Sequence, residues 1–239
     1  MNVNEFNNEF DLLYDNANSS APGLDMYEKS VYLTKAQLEL FKSKYGKANP
    51  SYGSFEGSEK RRTDLANLIT NYVSTKPESL GNKGVTSSSV FFAIPSDFCY
   101  AIQESATLDI PNCAPSTANV LPKTHDEVNT QLNNPFKKPN AKVAWRLDYF
   151  DQDSNERVIE IVSNFTVLKY QTRYLRYPKP IILEDLNGGL SIEGEATSRT
   201  SELDESIHGE ILDRAVELAT RDYKEQKLNG QLQTNLRNE

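Results

Sequence analysis

Apolar residues near the start of the chain recur every three or four positions. They are Val3, Phe6, Phe10 and Leu13. This spacing places them on one face of an amphipathic helix. Two further helix starts are predicted where a capping residue stands three positions before a carboxylate or amide, at Asp25 with Glu28 and at Thr34 with Gln37. Residues 1–75 are therefore predicted to form a helical segment.

A later helix is predicted to begin at Ser58, because an apolar stripe follows this residue at helical spacing. The stripe consists of Leu65, Leu68, Ile69 and Tyr72. The pattern changes near residue 75, where a polar, glycine-containing linker begins. We therefore place the end of the helical segment there.

The middle of the chain alternates apolar and polar residues, which is the period-two pattern of half-buried strands. The clearest segments are SVFFAIP at 89–95, KVAWRLDYF at 142–150, RVIEIVSNF at 157–165, and residues 166–174. Turns rich in Asp, Asn and Ser separate successive segments. We therefore predict an antiparallel sheet within residues 76–200.

The C-terminal section has the clearest helical pattern, which covers residues 201–223. Its apolar stripe consists of Leu203, Ile207, Ile211, Ala215 and Leu218. Ser201 stands three residues before Asp204 and is the predicted cap, and acidic residues crowd the first turn, where the helix dipole favours them. Beyond Leu228 the chain has no apolar stripe to bury, so we expect a mobile tail.

These patterns predict an α+β fold with an N-terminal helical segment, a central antiparallel β-sheet region and a long amphipathic C-terminal helix. The expected parts are residues 1–75, residues 76–200 and residues 201–239, which together form one cooperative domain with a tail. At 239 residues the chain is long enough to bury a substantial core.

The net charge of −8, from 26 basic and 34 acidic residues, argues against bulk adhesion to nucleic acid or an anionic membrane. Residues 184–239 hold 6 basic and 13 acidic side chains, whereas residues 141–183 hold 7 and 5. No apolar run reaches the ~20 residues needed to cross a bilayer, and the N-terminus lacks a signal core. We expect a soluble protein made in a cytoplasm, with no membrane partner.

No motif for a reaction, a cofactor or a metal stands out. His125 and His208 lack a second histidine or cysteine at ligand spacing, so both are expected as surface or capping residues. Cys99 and Cys113 match no zinc-site spacing and are too few for a disulfide framework. The stretch DQDSNE at 151–156 could hold a cation, but it lacks the glycine and terminal glutamate of a calcium loop, which favours a plain turn. We therefore predict no enzymatic activity, no cofactor and no metal.

The stretch YQTRYLRYPKPIIL, residues 170–183, alternates aromatic and basic side chains before two prolines. In a strand these side chains divide between both faces, unlike the one-sided aromatic platform that stacks bases. Pro178 and Pro180 cannot donate to a sheet ladder, so they place the strand at an edge or at an exit from the sheet. Contacts within the chain, contacts to another protein and nucleic-acid binding all stay open, and the acidic C-terminal helix is the natural partner of the arginines.

Four motifs carry a resemblance to a known family. They are NEFDLLYDNANSSAPGLDMYEKSVYLTKAQ, NNPFKKPN followed by AWRLD, TRYLRYPKPIIL, and ELDESIHGEILDRAVELA. Their order is similar to that in virion structural proteins of crAss-like and related tailed bacteriophages of Bacteroidales, in particular the ring or adaptor components stacked between portal and tail. The resemblance covers residues 5 to about 220. Ser201 stands just before ELDE, where relatives can carry a cysteine, so a thiol is not required there.

The resemblance implies a virion protein that forms a closed, head-to-tail ring of identical subunits, which we expect to match the twelve-fold symmetry of the portal. The implied partners are other copies, the portal protein and adjacent tail or ring proteins, and DNA would pass through the channel without specific binding. Such a ring needs two unlike surfaces on each subunit. The candidate interface residues are Tyr170, Arg173, Tyr174, Arg176, Tyr177 and Lys179 on the aromatic and basic stretch, and Asp204, Glu205, Glu210, Asp213 and Glu217 on the acidic helix.

Two other function classes are alternatives to the ring. A DNA-binding or packaging accessory protein would use the basic strand at 173–179, against the acidic balance of the chain. A hydrolase acting on cell-wall sugar would need an acid and nucleophile pair, which the sequence does not display.

Overall fold

The computed structural model describes residues 1–17, 21–45, 59–77 and 83–237, without the side chains of residues 45, 61 and 226–237. The helices are α1 (Val3–Ala17), α2 (Met26–Tyr45), α3 (Glu59–Leu65), α4 (His125–Leu132) and α5 (His208–Arg237). The strands are β1 (Ile69–Ser74), β2 (Val90–Ala93), β3 (Phe98–Asp109), β4 (Ser116–Pro122), β5 (Val143–Asp151), β6 (Glu156–Val162) and β7 (Thr166–Arg176). Short 3-10 turns at Ala66–Leu68 and Glu205–Ile207 precede β1 and α5.

The chain divides into two compact units. A helical unit consists of Met1–Leu68 with Pro178–Glu239, and a sheet unit consists of Ile69–Tyr177. The chain therefore leaves the sheet unit between Tyr177 and Pro178, inside the aromatic and basic stretch. The division into residues 1–75, 76–200 and 201–239, which we expect to fold as one cooperative domain with a tail, stays a prediction.

Within the described part of the chain, the sheet unit contains a seven-stranded sheet in the order β1-β7-β3-β4-β5-β6-β2. Neighbouring strands are antiparallel except β4 and β5, which run parallel and are connected through α4. The sheet is curled, and the Tyr72 hydroxyl of β1 donates a hydrogen bond of 3.0 Å to the Ala93 carbonyl of β2, which links the two edge strands. The predicted α+β class, with a mostly antiparallel central sheet, is confirmed.

The sheet has buried apolar residues on both of its faces. One cluster consists of Phe92, Ala106, Leu108, Ala118, Val120, Ala144, Ile159, Ile161, Val167 and Tyr170. A second cluster consists of Val128 of α4 with Trp145, Leu147 and Val162. Because successive residues of a strand point to opposite faces, Ala144 and Trp145 assign the clusters to opposite sides of β5. Helix α4 covers the second side.

The helical unit packs α1 and α2 against α5. Its fully buried apolar residues include Phe6, Phe10, Leu33, Phe41, Ile181, Ile182, Ile207, Ile211 and Ala215. The predicted apolar stripes of α1 and of the C-terminal helix are therefore the surfaces that form this core, although Val3 and Leu13 are only half-buried.

Helix α2 carries a stripe of buried polar side chains that binds the backbone of residues 179–183. The Thr34 hydroxyl accepts a hydrogen bond from the Ile181 N–H at 3.1 Å and donates one to the Ile181 carbonyl at 3.2 Å. One helical turn earlier, the Ser30 hydroxyl accepts from the Leu183 N–H at 3.0 Å. Side chains of a helix thus take the place of a neighbouring strand.

Gln37 of α2 also binds the segment 179–183, and the opposite edge of that segment is bound by backbone hydrogen bonds. Gln37 Nε2 donates to the Lys179 carbonyl at 2.7 Å, and its Oε1 accepts from the Ser201 hydroxyl at 2.7 Å. On the other edge, Ile182 exchanges two backbone hydrogen bonds with Arg199, of 2.9 and 2.7 Å. We call the contacts of Ser30, Thr34 and Gln37 with this backbone the α2 ladder.

One of the two predicted caps on α2 is confirmed. The Asp25 N–H donates to Glu28 Oε2 at 3.0 Å, and the Glu28 N–H donates to Asp25 Oδ1 at 2.7 Å, immediately before and within the first turn of α2. The second predicted cap was wrong, because α2 continues without a break through Thr34 and Gln37. These two residues have cap-like spacing, but their partners belong to a distant part of the chain.

The prediction of helix up to residue 75 was wrong at its end. Helix α3 stops at Leu65, and Ile69–Ser74 form β1, which pairs with β7 from Ile69 opposite Leu175. A short apolar run can suit helix or strand, and the available strand partner decides between them. The predicted cap Ser58 lies outside the described residues.

The C-terminal helix begins later and continues further than predicted. Asp204 is the cap of the preceding turn, where its carboxylate accepts from the Ser206 N–H at 3.0 Å. Ser201 was predicted as the cap, but its hydroxyl donates to Gln37 Oε1 at 2.7 Å. Helix α5 continues to Arg237, past the expected boundary at Leu228.

The α2 ladder predicts a cost for removing a single hydroxyl. Ser30 and Ser43 both donate to a carbonyl within α2, at 2.6 and 2.8 Å, but only the buried Ser30 also accepts from Leu183. Ser30→Ala should lower the free energy of unfolding by about 1–3 kcal/mol, because it leaves a buried N–H unpaired. Ser43→Ala, at an exposed site, should change it by less than about 0.5 kcal/mol. Urea denaturation of both variants measures the difference, and equal losses would contradict the role of the ladder.

Candidate assembly surfaces

Tyr170, the first aromatic residue of the candidate stretch, lies inside the sheet unit. It is fully buried, its hydroxyl donates to Glu104 Oε1 at 2.5 Å, and Arg146 Nη1 donates to the other oxygen of that carboxylate at 2.9 Å. Burial raises the pKa of Tyr170, and the Glu104 carboxylate raises it further. Burial also raises the pKa of Glu104, against the opposing charge of Arg146. Tyr170 is therefore a core residue with no surface for a partner.

Tyr174 is buried as well. Its ring stacks on Phe98 with centroids 5.0 Å apart, and its hydroxyl donates to Asp97 Oδ1 at 3.0 Å. Burial, together with this hydrogen bond, raises the pKa of Tyr174 to about 12. Tyr174 thus stabilises the pairing of β3 with β7 from inside the unit.

Arg173 and Tyr177 are the exposed residues at the end of β7. Arg173 Nε donates to Asn71 Oδ1 of β1 at 3.2 Å and stays at the surface. Tyr177 is 44% exposed, and a hydrogen bond with Cys99 raises its pKa. Arg176 is half-buried. This strand end therefore offers a guanidinium group and an aromatic ring to solvent.

Lys179 and Asp204 belong to the helical unit and have structural contacts there. Lys179 Nζ pairs with Glu195 Oε1 at 3.2 Å, and the two side chains are 46% and 36% exposed. The hydrogen bonds from Ser206 lower the pKa of Asp204, as expected for a capping carboxylate. Glu205, the next residue, is exposed.

The candidate acidic residues of α5 are exposed and partly paired. Glu210 contacts Lys44 at 3.2 Å, and Glu217 contacts Arg214 at 2.7 Å. Ion pairs at such exposed positions contribute little to stability, because solvent screens them. Asp213 lies between them and is exposed as well. The carboxylates of α5 are therefore accessible to cations of a partner.

The two histidines occupy different environments. His125 is exposed at the start of α4, after the cap Thr124, as predicted. His208 is 3% exposed and caps the C-terminal end of the 3-10 turn Glu205–Ile207, so of the two expected roles the surface position was wrong and capping is confirmed. Burial lowers its pKa. Its Nε2 lies 3.1 Å from the Leu203 carbonyl oxygen, and its Nδ1 lies 2.8 Å from the Met1 amino group. Among the residues that the structure describes, no group of three His, Cys, Asp or Glu side chains is placed to hold a metal ion.

The acidic turn at 151–156 binds an ammonium group of the chain itself. Lys83 Nζ binds Asp151 Oδ1 at 2.7 Å and also contacts Asp153. Asp151 Oδ2 accepts from the Ser154 N–H at 3.1 Å and from its hydroxyl at 2.8 Å. These contacts, above all that of Lys83, lower the pKa of Asp151 to about 2. The segment is a turn, as predicted, and Lys83 compensates its negative charge.

A family model described as phage tail ring protein 3/4 matches residues 1–231 of the chain. The chain belongs to this family. Two proteins of Bacteroides phage crAss001 are similar to it along most of its length. One, named Ring protein 4/5, is 36% identical over 231 residues, which is 94% of each chain. The other, named Ring protein 3, is 40% identical over 200 residues, covering 82% of this chain and 84% of the relative.

The resemblance to crAss-like phage ring proteins is thereby confirmed. As a phage tail ring protein, the chain is a structural component of the virion, which agrees with the predicted location. Both relatives are named for a ring and neither for a reaction. No helix in the described part of this ring protein has the length and apolar character needed to cross a membrane.

The buried position of Tyr170 predicts that this residue stabilises the subunit. Tyr170→Phe should lower the free energy of unfolding of the ring protein by about 1–3 kcal/mol, because the buried Glu104 carboxylate loses a donor. Tyr177→Phe is the matched control. Its hydroxyl is near solvent, so water can replace the hydrogen bond with Cys99, and the loss in free energy of unfolding should be smaller. Thermal and urea unfolding of both variants measure the two losses, and an unchanged Tyr170→Phe protein would contradict a structural role.

The low pKa of Asp151 predicts how stability depends on pH. Because the folded pKa of about 2 lies below the ordinary value of 3.8, the unfolded chain takes up this proton first as the pH falls. The stabilisation is therefore present above about pH 4 and is lost between about pH 4 and pH 2. Asp151→Asn should lower Tm at neutral pH, and its difference from wild type should shrink in that window.

Asp153→Asn is the control for this pH series, since Asp153 contacts the same lysine from an exposed position. It should lower Tm less than Asp151→Asn. A difference between wild type and Asp151→Asn that stays constant from pH 7 to pH 2 would contradict the assignment.

Proposed function

We propose that this ring protein is an adaptor-type subunit between portal and tail, which assembles head to tail into a closed ring through which DNA passes. The family match over residues 1–231 carries the proposal, because it covers nearly the whole chain. The names of the two relatives, Ring protein 3 and Ring protein 4/5, support subunits that build rings.

A head-to-tail ring requires two unlike, complementary surfaces on each subunit. The exposed candidates are Arg173, Tyr177 and Lys179 at and after the end of β7, and Glu205, Glu210, Asp213 and Glu217 in and before α5. We propose that the carboxylates before and at the start of α5, Glu205 and Glu210, in one copy meet the end of β7 in the next copy. The buried Tyr170 and Tyr174 then support this strand end without touching the neighbour.

The proposed ring has the twelve-fold symmetry of a portal. Its partners are other copies, the portal protein and adjacent ring or tail proteins. A net charge of −8 suits a channel through which DNA passes without specific binding, because carboxylates repel phosphate groups. The proposal includes no catalytic step, no cofactor and no membrane.

Native mass spectrometry and negative-stain electron microscopy test this function. The purified chain is measured alone and in mixtures with the portal protein and the adjacent ring proteins of its phage. We expect closed rings with a single subunit number. A chain that stays monomeric in every mixture, and that is absent from purified virions, would overturn the proposal.

The carboxylates of α5 predict an effect of charge reversal on the ring. Asp213→Lys should weaken ring formation at least about tenfold, because repulsion replaces attraction at the contact. The unfolding midpoint should stay the same, since Asp213 is exposed. Glu9→Lys reverses an exposed carboxylate of α1 and is the matched control. Native mass spectrometry gives the ring yields, and equal yields for the two variants would contradict an interface at Asp213.

A DNA-binding or packaging accessory role through residues 173–179 is the second candidate. The exposed guanidinium group of Arg173 favours it, whereas the pairing of Lys179 with Glu195 and the net charge of −8 oppose it. Binding of short duplex DNA that weakens steeply with salt would support this role in place of the ring.

A further inference from the structure

The loop after α4 presents a phenylalanine side chain to solvent. Phe136 is 95% exposed, more than any other large apolar residue that the structure describes. Hydrogen bonds nevertheless hold the loop in place. Asn134 accepts from the Phe136 N–H at 3.0 Å and from the Lys137 N–H at 3.1 Å, and Asn164 donates to the Pro139 carbonyl at 2.5 Å. A ring on a pre-organised loop loses little conformational freedom when a partner covers it, which suits an interface anchor.

Lysines surround this exposed ring. Lys137 and Lys138 follow it and are exposed, and Lys123 joins them around an adjoining recess of about 330 Å³. This patch is basic in a chain whose net charge is −8. A complementary surface would therefore combine an apolar recess with carboxylates at its rim. We call Phe136, Lys137 and Lys138 the Phe136 knob.

The helical unit carries a recess with these properties along α5. A groove of about 590 Å³ is lined by Ala17, Val216 and Thr220 together with five charged residues, and the surface that these residues present to it is almost wholly apolar. The charged residues are Asp213, Glu217, Glu225, Arg221 and Lys224, and we call them the rim. Carboxylates outnumber basic groups among them by three to two. We call this recess the α5 groove.

We propose that the Phe136 knob of one copy inserts into the α5 groove of the neighbouring copy, with its lysines against the carboxylates of the rim. This inference rests on the proposed ring function and specifies a contact between subunits. The two surfaces are unlike, so each copy uses its knob once and its groove once. Such a contact continues from copy to copy and closes into a ring when the rotation between copies allows it.

A second copy is the occupant that the chemistry favours. The knob and the groove belong to the same chain, and they match in apolar character and in the sign of their surrounding charge. The groove has room for a phenyl ring together with the aliphatic stem of an adjoining lysine. An aromatic side chain in a desolvated recess is the kind of contact that dominates the energy of an interface.

Site-specific photo-cross-linking tests the contact directly. The ring mixtures are prepared with Phe136→p-benzoylphenylalanine, combined with nitrogen-15-labelled chain so that links between copies can be distinguished. We expect cross-links from position 136 of one copy to the peptide 213–225 of the other. Phe150→p-benzoylphenylalanine is the matched control, because Phe150 of β5 is 54% exposed, and it should give no links to that peptide.

Point variants measure the energy of the same contact. Phe136→Ser should weaken ring formation at least about tenfold. It should leave Tm unchanged because the ring is exposed in the single chain, and Phe150→Ser is its control. Lys137→Glu combined with Lys138→Glu should weaken the ring too, and adding Asp213→Lys and Glu225→Lys to the same chain should restore it.

The outcomes separate this contact from the ring function. If rings form but the links from position 136 map outside residues 213–225 of the other copy, or Phe136→Ser leaves the ring yield unchanged, the knob-in-groove contact is overturned and the ring function stands. If wild type forms no ring in any mixture, the ring function fails and this contact fails with it.

Discussion

Hydrogen bonding of the buried backbone of Pro178–Leu183 is the constraint on which the helical unit depends. The two prolines have no N–H to satisfy, and the other four residues donate to Glu202, Thr34, Arg199 and Ser30. Ser30 to Gln37 rises about 10.5 Å along α2, while the extended segment from residue 179 to 183 spans about 13 Å. The side chain of Gln37 is longer than those of Ser30 and Thr34 and spans this difference in length. A helix can therefore bind an extended chain that runs antiparallel to it.

The sheet unit pairs the buried carboxylate of Glu104 in a comparable way. Glu104 is buried, and the Tyr170 hydroxyl and the Arg146 guanidinium group share its two oxygens. Burying a carboxylate is costly unless donors replace water, and here both donors come from other strands of the same sheet. Tyr170 belongs to a stretch whose sequence resembles a binding surface, but its hydrogen bond to Glu104 places its side chain in the core.

Fewer side chains are therefore exposed to a neighbouring copy than the sequence of the aromatic and basic stretch predicts. The end of β7 keeps Arg173 and Tyr177 at the surface, and α5 keeps its carboxylates there while its apolar stripe forms the core. The Phe136 loop and the groove along α5 add apolar contact area to these charges. Apolar recesses supply most of the binding energy of an interface, and charges determine which surfaces meet. Each copy of the ring protein then has unlike surfaces for its two neighbours.

The sequence by itself determined the features that depend only on residues close together along the chain. The stripes of α1 and α5, the Asp25–Glu28 cap and the exit of β7 at its prolines follow from spacing and from backbone chemistry. Tertiary structure decided what Thr34, Ser201 and Tyr170 do, and that Ile69–Ser74 form a strand. Thr34 and Ile181 are 147 positions apart, so no local pattern could distinguish a helix cap from a buried partner. A polar side chain satisfies whichever unpaired group folding brings to it, and only the folded chain specifies that group.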